Sequence, residues 1–319
     1  MKHPFYPLRP NKAVDRLAFM EAIRHLDKIG DLSDYTYYGM GGPHLEEFRL
    51  LYEFCPQIGM VSIEKDEEIY KRQRFHLPCG TLRLECAEFS DFLASYDPND
   101  GKSVFWLDYT GLFASHFSEF AALLGKLAEK SMVKVSLRAE PRDYFDRSGE
   151  EQGSGGKGFR EEFGDVMPDA SADPPIDPRD FACLIQDMLQ VVAERALPSA
   201  VPLKFLPVSS FYYTDGTWML TLTGVIWPRE RQEEVEKAFG DWRFANLTWK
   251  RPKRINVPSL STKERLCLQE HLPCRKNAGS VLCSALGYLI DDDKRRSEYM
   301  LKQYADFHRY YPYFMRATP

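Results

Sequence analysis

The chain is 319 residues long, 44% hydrophobic, 13% aromatic and 28% charged, with a formal charge of -5 at pH 7. That length supports one large core and a smaller addition, and the composition excludes disordered, collagenous and disulfide-scaffold classes. The acidic balance excludes global attraction to nucleic acid or anionic lipid, so any such binding must come from a local basic patch.

No apolar run approaches the roughly 20 residues that span a bilayer. The opening MKHPFYPLRPNK has neither an apolar signal core nor a small-residue cleavage site, and a cytoplasmic location without membrane contact is expected. Seven irregularly spaced cysteines fit free thiols. Cys267, His271, Cys274 and Cys283 lack a paired C-x-x-C knuckle, so no metal site is assigned.

Residues 13–29 place Val14, Leu17, Ala18, Ala22, Ile23, Leu26 and Ile29 at helical spacing, which predicts a helix laid on the core. Arg9, Lys12 and Arg16 stand at its beginning. They are candidates to hold an anionic substrate, against the alternative of a solvated helix end. Tyr35 to Tyr38 then has strand character, and Gly39, Gly41 and Gly42 follow in a turn. Pro43 suits the first position of the next helix, whose Leu45, Phe48, Leu51, Tyr52 and Cys55 form one apolar face. Gly59 to Ile63 is a second apolar strand, ending at Glu64. Small glycines let backbone approach a ligand closely, and an acid about 20 residues on commonly binds ribose hydroxyls, so this stretch outlines an adenosine-type cofactor site.

The unit recurs. Thr81 to Leu84 reads as a third strand closed by Glu85, Cys86, Ala87 and Glu88, and SVFWL, residues 103–107, as a fourth that is buried on both faces. The fourth strand ends at Asp108-Tyr109-Thr110-Gly111. Ligands of open α/β sheets sit beyond the carboxyl ends of strands, where Gly39, Glu64, Glu85 to Glu88 and Asp108 converge. A helix and the strand MVKVSLR complete a fifth unit. Residues 140–178 lose apolar periodicity and are rich in Gly, Pro, Asp and Glu; either a lid or a plain insertion fits a connection of that length. The GSGGKG run inside it lacks the strand, helix and Lys-Ser/Thr pair of a phosphate loop. After a helix over 180–196, two β-rich runs flank Thr214-Asp215-Gly216-Thr217, a hairpin signal.

Five β/α units, a glycine turn after the first strand, acids after the second and third, Asp108 after the fourth and a terminal hairpin resemble the class I S-adenosylmethionine-dependent methyltransferases over about residues 13–228. The resemblance implies a Rossmann-like α/β fold, with a seven-stranded sheet that is mostly parallel and ends in an antiparallel hairpin. It implies S-adenosylmethionine as cofactor, with Gly39, Gly41 and Gly42 near its methionine and ribose portion, Glu64 on the ribose hydroxyls, and Cys86 and Glu88 beside adenine. Asp108 and Tyr109 would form the reacting end. The family's motif is acid-x-Gly-x-Gly, whereas here Tyr37 occupies the acid's place. A dinucleotide-binding dehydrogenase would want a third glycine where His44 stands. The tetrapeptide Asp-Tyr-Thr-Gly also differs from the Asn/Asp-Pro-Pro-Tyr/Phe of amino-methylating DNA enzymes.

Residues 229–319 read as a mainly helical C-terminal segment added to a domain over 1–228. Trp242 and Trp249 bracket an expected short strand, and Ser261 to Glu264 forms a capping box. Lys250, Arg251, Lys253 and Arg254 cluster beside Trp249, a candidate nucleic-acid contact, with a packing cap as the alternative. The function expected is methyl transfer to a bulky or macromolecular acceptor. The alternative is a non-catalytic scaffold or binding module on the same fold.

Overall fold

In the computed structural model, residues 9–98, 101–145, 158–169, 173–274 and 276–312 are described. After α1 (Pro10–Leu26) the chain alternates strand and helix: β1 (Tyr35–Gly39), α2 (Glu46–Phe54), β2 (Gly59–Glu64), α3 (Glu67–Phe75), β3 (Leu82–Cys86), α4 (Phe89–Ser95), β4 (Lys102–Asp108), α5 (Ala114–Lys126) and β5 (Met132–Arg138). There follow α6 (Phe159–Phe163), α7 (Pro178–Ala196), the hairpin β6 (Leu203–Thr214) and β7 (Trp218–Pro228), then α8 (Gln232–Phe239), β8 (Lys253–Arg254), α9 (Thr262–Gln269), α10 (Ala278–Leu286) and α11 (Lys294–Phe307).

The strands form one sheet in the order β3-β2-β1-β4-β5-β7-β6-β8. The first five run parallel, and β7 lies antiparallel to β5. The expected fold class is therefore observed, with eight strands among the described residues instead of seven. The extra strand, β8, is two residues long, too short to show any periodicity. The short strand expected between Trp242 and Trp249 is absent: those residues form turns.

Alternation along the strands divides the core. On one face Tyr38, Val61, Phe105 and Val133 join α4, α5 and α7 in a continuous apolar cluster, and the rings of Tyr38 and Phe105 stack at 4.6 Å. On the other face Tyr37 meets Phe48 of α2, and Trp106 meets Phe19 of α1. Lys134 of β5 is buried there, its ammonium 4.5 Å from the Trp106 ring centroid and 4.9 Å from that of Phe19. Those ring faces offset part of the cost of burying its charge.

Local chemistry sets the helix starts. Asp66 accepts from the Glu68 and Ile69 amides and opens α3; Asp177, followed by Pro178, opens α7; and the Ser261–Glu264 capping box opens α9 as expected. At α2 the expected start at Pro43 moves to Glu46. The Leu45 amide donates to the Gly42 carbonyl at 3.1 Å, so a turn takes up Pro43 and His44, and Leu45 sits at φ 53 before the helix begins.

The described parts of the stretch over 140–178 are ordered by aromatic packing. They hold 3-10 turns at Pro141–Asp143 and Gly164–Val166 on either side of α6. Tyr144, Phe145, Phe159 and Phe163 join the cluster that contains α5 and α7. Residues 153–157 of the GSGGKG run lie outside the described residues.

Contacts divide the chain into two compact units. The larger, Phe19–Tyr212 with Thr217–Lys253, contains most of the sheet. The smaller gathers Met1–Ala18, Tyr213–Gly216 and Arg254–Pro319. Within the smaller unit, Asp215 caps α1, accepting from the Asn11 and Lys12 amides at 3.3 and 2.8 Å and from Asn11 Nδ2 at 3.0 Å. Asn11 Oδ1 in turn accepts from the Val257 amide at 2.9 Å. A Cβ built on Gly279 of α10 would lie 2.1 Å from the Glu298 carbonyl of α11, so glycine is what allows these helices to approach so closely.

Candidate functional site

Register fixes the geometry of the strand ends. Gly39, the last residue of β1, pairs with Ser62 on one side and Trp106 on the other. Both flanking strands continue two residues further, to Glu64 and Asp108. Those two acids thus stand at one level on the same face of the sheet, separated by two strand spacings, roughly 10 Å, with β1 ended between them. The neighbouring strand β1 leads toward β2 and β3, while β4 leads toward β5. This is the topological switch point at which open α/β sheets bind ligands.

Glu64 is half-buried, and one carboxylate oxygen accepts from the Asp66 amide at 2.9 Å. Burial raises its pKa, opposed by the Asp66 amide. Across β3, Cys86 pairs with Glu64 in register, and both Cys86 and Glu88 are exposed. Lys65 lies 3.3 Å from the Glu88 carboxylate, a solvated pair of small energetic weight.

The glycine turn is held from below. Gly41 is buried, and a Cβ there would fall 2.6 Å from Ser62 Oγ and 2.9 Å from both Leu45 and Phe48. Gln73 of α3 is wholly buried: its amide nitrogen donates to the carbonyls of Gly41 and Gly42, and its oxygen accepts from Ser62 Oγ at 3.2 Å. Sequence reading missed Gln73, because a glutamine on a charged helix gives no sign of facing inward.

The turn after β4 is braced from the opposite face. Tyr109 is buried, its ring stacked on His116 at 3.9 Å, and its hydroxyl donates to Glu119 of α5 at 2.5 Å. Asp108 and Tyr109 therefore point to opposite sides of the sheet, as adjacent strand residues do. Burial pushes the His116 imidazole down to about 4, against the opposing effect of its bond to the Gly111 backbone, so it is neutral near pH 7. The Arg138 amide donates to the Gly111 carbonyl at 3.3 Å, Tyr144 donates to the Leu112 carbonyl at 2.6 Å, and Glu162 accepts from the Ala114 amide at 3.2 Å. Residues from the 140–178 stretch thus tie down the loop that leaves Asp108.

Residues 4–319 match the model of a protein family described as "Putative O-methyltransferase". The chain belongs to that family. No curated protein sequence matches it. Among solved structures it is similar to the plantazolicin methyltransferase BamL, a complex with a triazolic desmethylPZN analog and SAH, at 8% identity and TM-score 0.41, covering 67% of this chain and 85% of that one. It is similar also to a probable spermidine synthase from Corynebacterium glutamicum, at 12% identity and TM-score 0.43, over 77% and 80% of the two chains. A third is the N-methyltransferase NodS from Bradyrhizobium japonicum, at 8% identity and TM-score 0.38, over 67% and 97%. Likeness at this level identifies neither substrate nor reaction.

The remaining candidates in this family member belong to both compact units. Within the smaller unit, Lys12 and Arg16 of α1 are buried and Arg9 is half-buried. Lys250 and Arg251 are exposed, whereas Lys253 and Arg254 are half-buried. Arg251 lies 3.8 Å from Asp180, and the Lys253 ammonium sits 5.0 Å from the Phe244 ring centroid. The Lys250 amide and carbonyl are both bonded to the Asn246 side chain. All seven cysteines are free thiols, and among the described residues no group of three or more His, Cys, Asp or Glu is placed to hold a metal. No helix of the described residues is long and apolar enough to cross a membrane.

Proposed function

We propose that this chain transfers the methyl group of S-adenosylmethionine to an oxygen atom of a bulky or macromolecular acceptor. The observation that carries this reading is the pair Glu64 and Asp108, level with each other on one face of the sheet astride the end of β1. Family membership supports the oxygen acceptor. The stretch over 140–178 and the residues after β7 motivate an acceptor larger than a metabolite.

The residues present fit the cofactor. Glu64, fixed by the Asp66 amide, would accept from the ribose hydroxyls. The turn through Gly39, Gly41 and Gly42 would run beside the ribose and methionine portion, and Cys86 and Glu88 would lie beside adenine. Bound S-adenosylmethionine supplies an electrophilic methyl whose sulfur leaves as a neutral thioether. The chain's own task is alignment and proton removal. Asp108 would take the proton of the acceptor hydroxyl as the oxygen bonds carbon. Tyr109, on the far side of the sheet, would hold the Asp108 loop through His116 and Glu119.

Isothermal titration with S-adenosylmethionine tests this. The wild type is expected to bind, and Glu64→Gln to bind about tenfold more weakly, as befits loss of a hydrogen bond to a charged group. Asp108→Asn is expected to keep its affinity within a few fold while losing turnover to S-adenosylhomocysteine in cell extract. A wild type that binds nothing at millimolar cofactor overturns the reading. Turnover that survives Asp108→Asn removes Asp108 from it, and a wild type that binds the cofactor without turning it over favours the non-catalytic scaffold.

A further inference from the structure

We infer that Gln73 is a positioning residue for the cofactor turn, the inner support that gives residues 39–45 their binding shape. The inference rests on the proposed cofactor reading and adds a residue that touches neither cofactor nor acceptor.

Three observations converge on it. First, Gln73 is the wholly buried residue of a helix that is otherwise half-buried or exposed. Burying a primary amide costs several kcal/mol unless its polar atoms are bonded, and here the nitrogen serves Gly41 and Gly42 while the oxygen serves Ser62. Second, the carbonyls it holds belong to a turn that has left the sheet. β1 ends at Gly39, so the Gly41 carbonyl has no ladder partner and takes its donor from the Gln73 side chain, while the Gly42 carbonyl, already bonded to the Leu45 amide, receives a second and longer contact at 3.4 Å. Third, the amide is held at both ends. The turn carbonyl can only accept and so fixes the NH2 group toward the turn, and the amide oxygen on the other side accepts from the Ser62 hydroxyl at 3.2 Å. Ser62 also stands in register with Gly39 and two residues before Glu64. One side chain thus ties the glycine turn to the strand that carries Glu64, and fixes the spacing between two groups that must grip one ligand together.

Loss of this tie would leave the fold in place and let the turn move. Preorganisation governs affinity in such a case, because the ordering cost moves into the binding step.

The test compares the wild type, Q73L, S62A and Q73E by calorimetry with S-adenosylmethionine and by hydrogen exchange over residues 39–45 without ligand. Q73L is expected to bind at least tenfold more weakly, with faster exchange confined to 39–45. S62A, which keeps the packing and leaves the buried amide oxygen without its donor, is expected to bind a few fold more weakly. In Q73E the carboxyl keeps the acceptor for Ser62 but faces two carbonyls without a proton at high pH. Its binding should therefore be weaker than that of Q73L near pH 8 and recover toward pH 5 as the carboxyl regains a proton to donate, a profile that simple loss of packing does not produce. Wild-type binding with equal affinity in Q73L and S62A overturns the inference alone. No binding by the wild type overturns the cofactor reading and this inference with it.

Discussion

Glu64 is poised at a cost to the folded chain. Burial raises its pKa, so the folded protein holds the proton more tightly than the unfolded chain does. The sign follows by linkage: the stability this group lends is complete below the unfolded pKa and is lost as pH rises through the folded value. Glu64→Gln should therefore melt slightly above the wild type at pH 7 to 8, by roughly 1–3 °C, with the difference vanishing by about pH 4. Scanning calorimetry across that range checks it, and a variant that melts lower at pH 8 would refute it. The same substitution is expected to weaken cofactor binding, so stability and function would move in opposite directions, as they do where a site stores unfavourable electrostatics. His116 is shifted as well: neutral and stacked on Tyr109, it packs against the loop after β4.

Caps and turns settle where the elements begin. α1 has no acid in its first turn, and Asp215 of the β6–β7 hairpin supplies the missing acceptor from far along the chain. Asp215→Ala should cost about 1–2 kcal/mol, read as a lowered denaturant midpoint with an unchanged slope; an unchanged midpoint would mean that water serves the α1 amides equally well. In the sequence, Asp215-Gly216 is legible as a hairpin turn, and the helix it caps is not, because capping across some 200 residues leaves no local pattern. The same distinction runs through the whole chain. β1 to β7 were legible from apolar runs and turn residues, since period and punctuation are local. β8 has two residues and no period. The stretch over 140–178 shows no apolar period in the sequence, because the order of its described parts comes from scattered aromatic residues such as Tyr144 and Phe159. At the site, Glu64 and Asp108 were legible as acids closing strands, whereas the inward face of Gln73 depends on how α3 packs on the sheet, and the sides taken by Asp108 and Tyr109 on which face of β4 meets the apolar cluster.

At the scale of the molecule, the smaller compact unit is assembled from the beginning of the chain, the hairpin tip and the end. A chain ending at Lys253 would lose most of that unit, including Val257, which bonds Asn11, and Tyr311, whose hydroxyl bonds the Leu260 amide and Pro258 carbonyl. It is expected to melt at least ~5 °C below the full chain or to aggregate, and a soluble product with an unchanged melting temperature would show that the remaining residues fold without it. The alternation of β4 bears on how the molecule can change over generations. Trp106 and Asp108 face one side, Phe105, Leu107 and Tyr109 the other. One codon gained or lost within Lys102–Asp108 would turn the acid toward the apolar cluster and an aromatic ring toward the face that carries Glu64. Drift in the length of this strand is therefore open only in pairs of residues, which makes β4 the segment where a single in-frame insertion should be least tolerated.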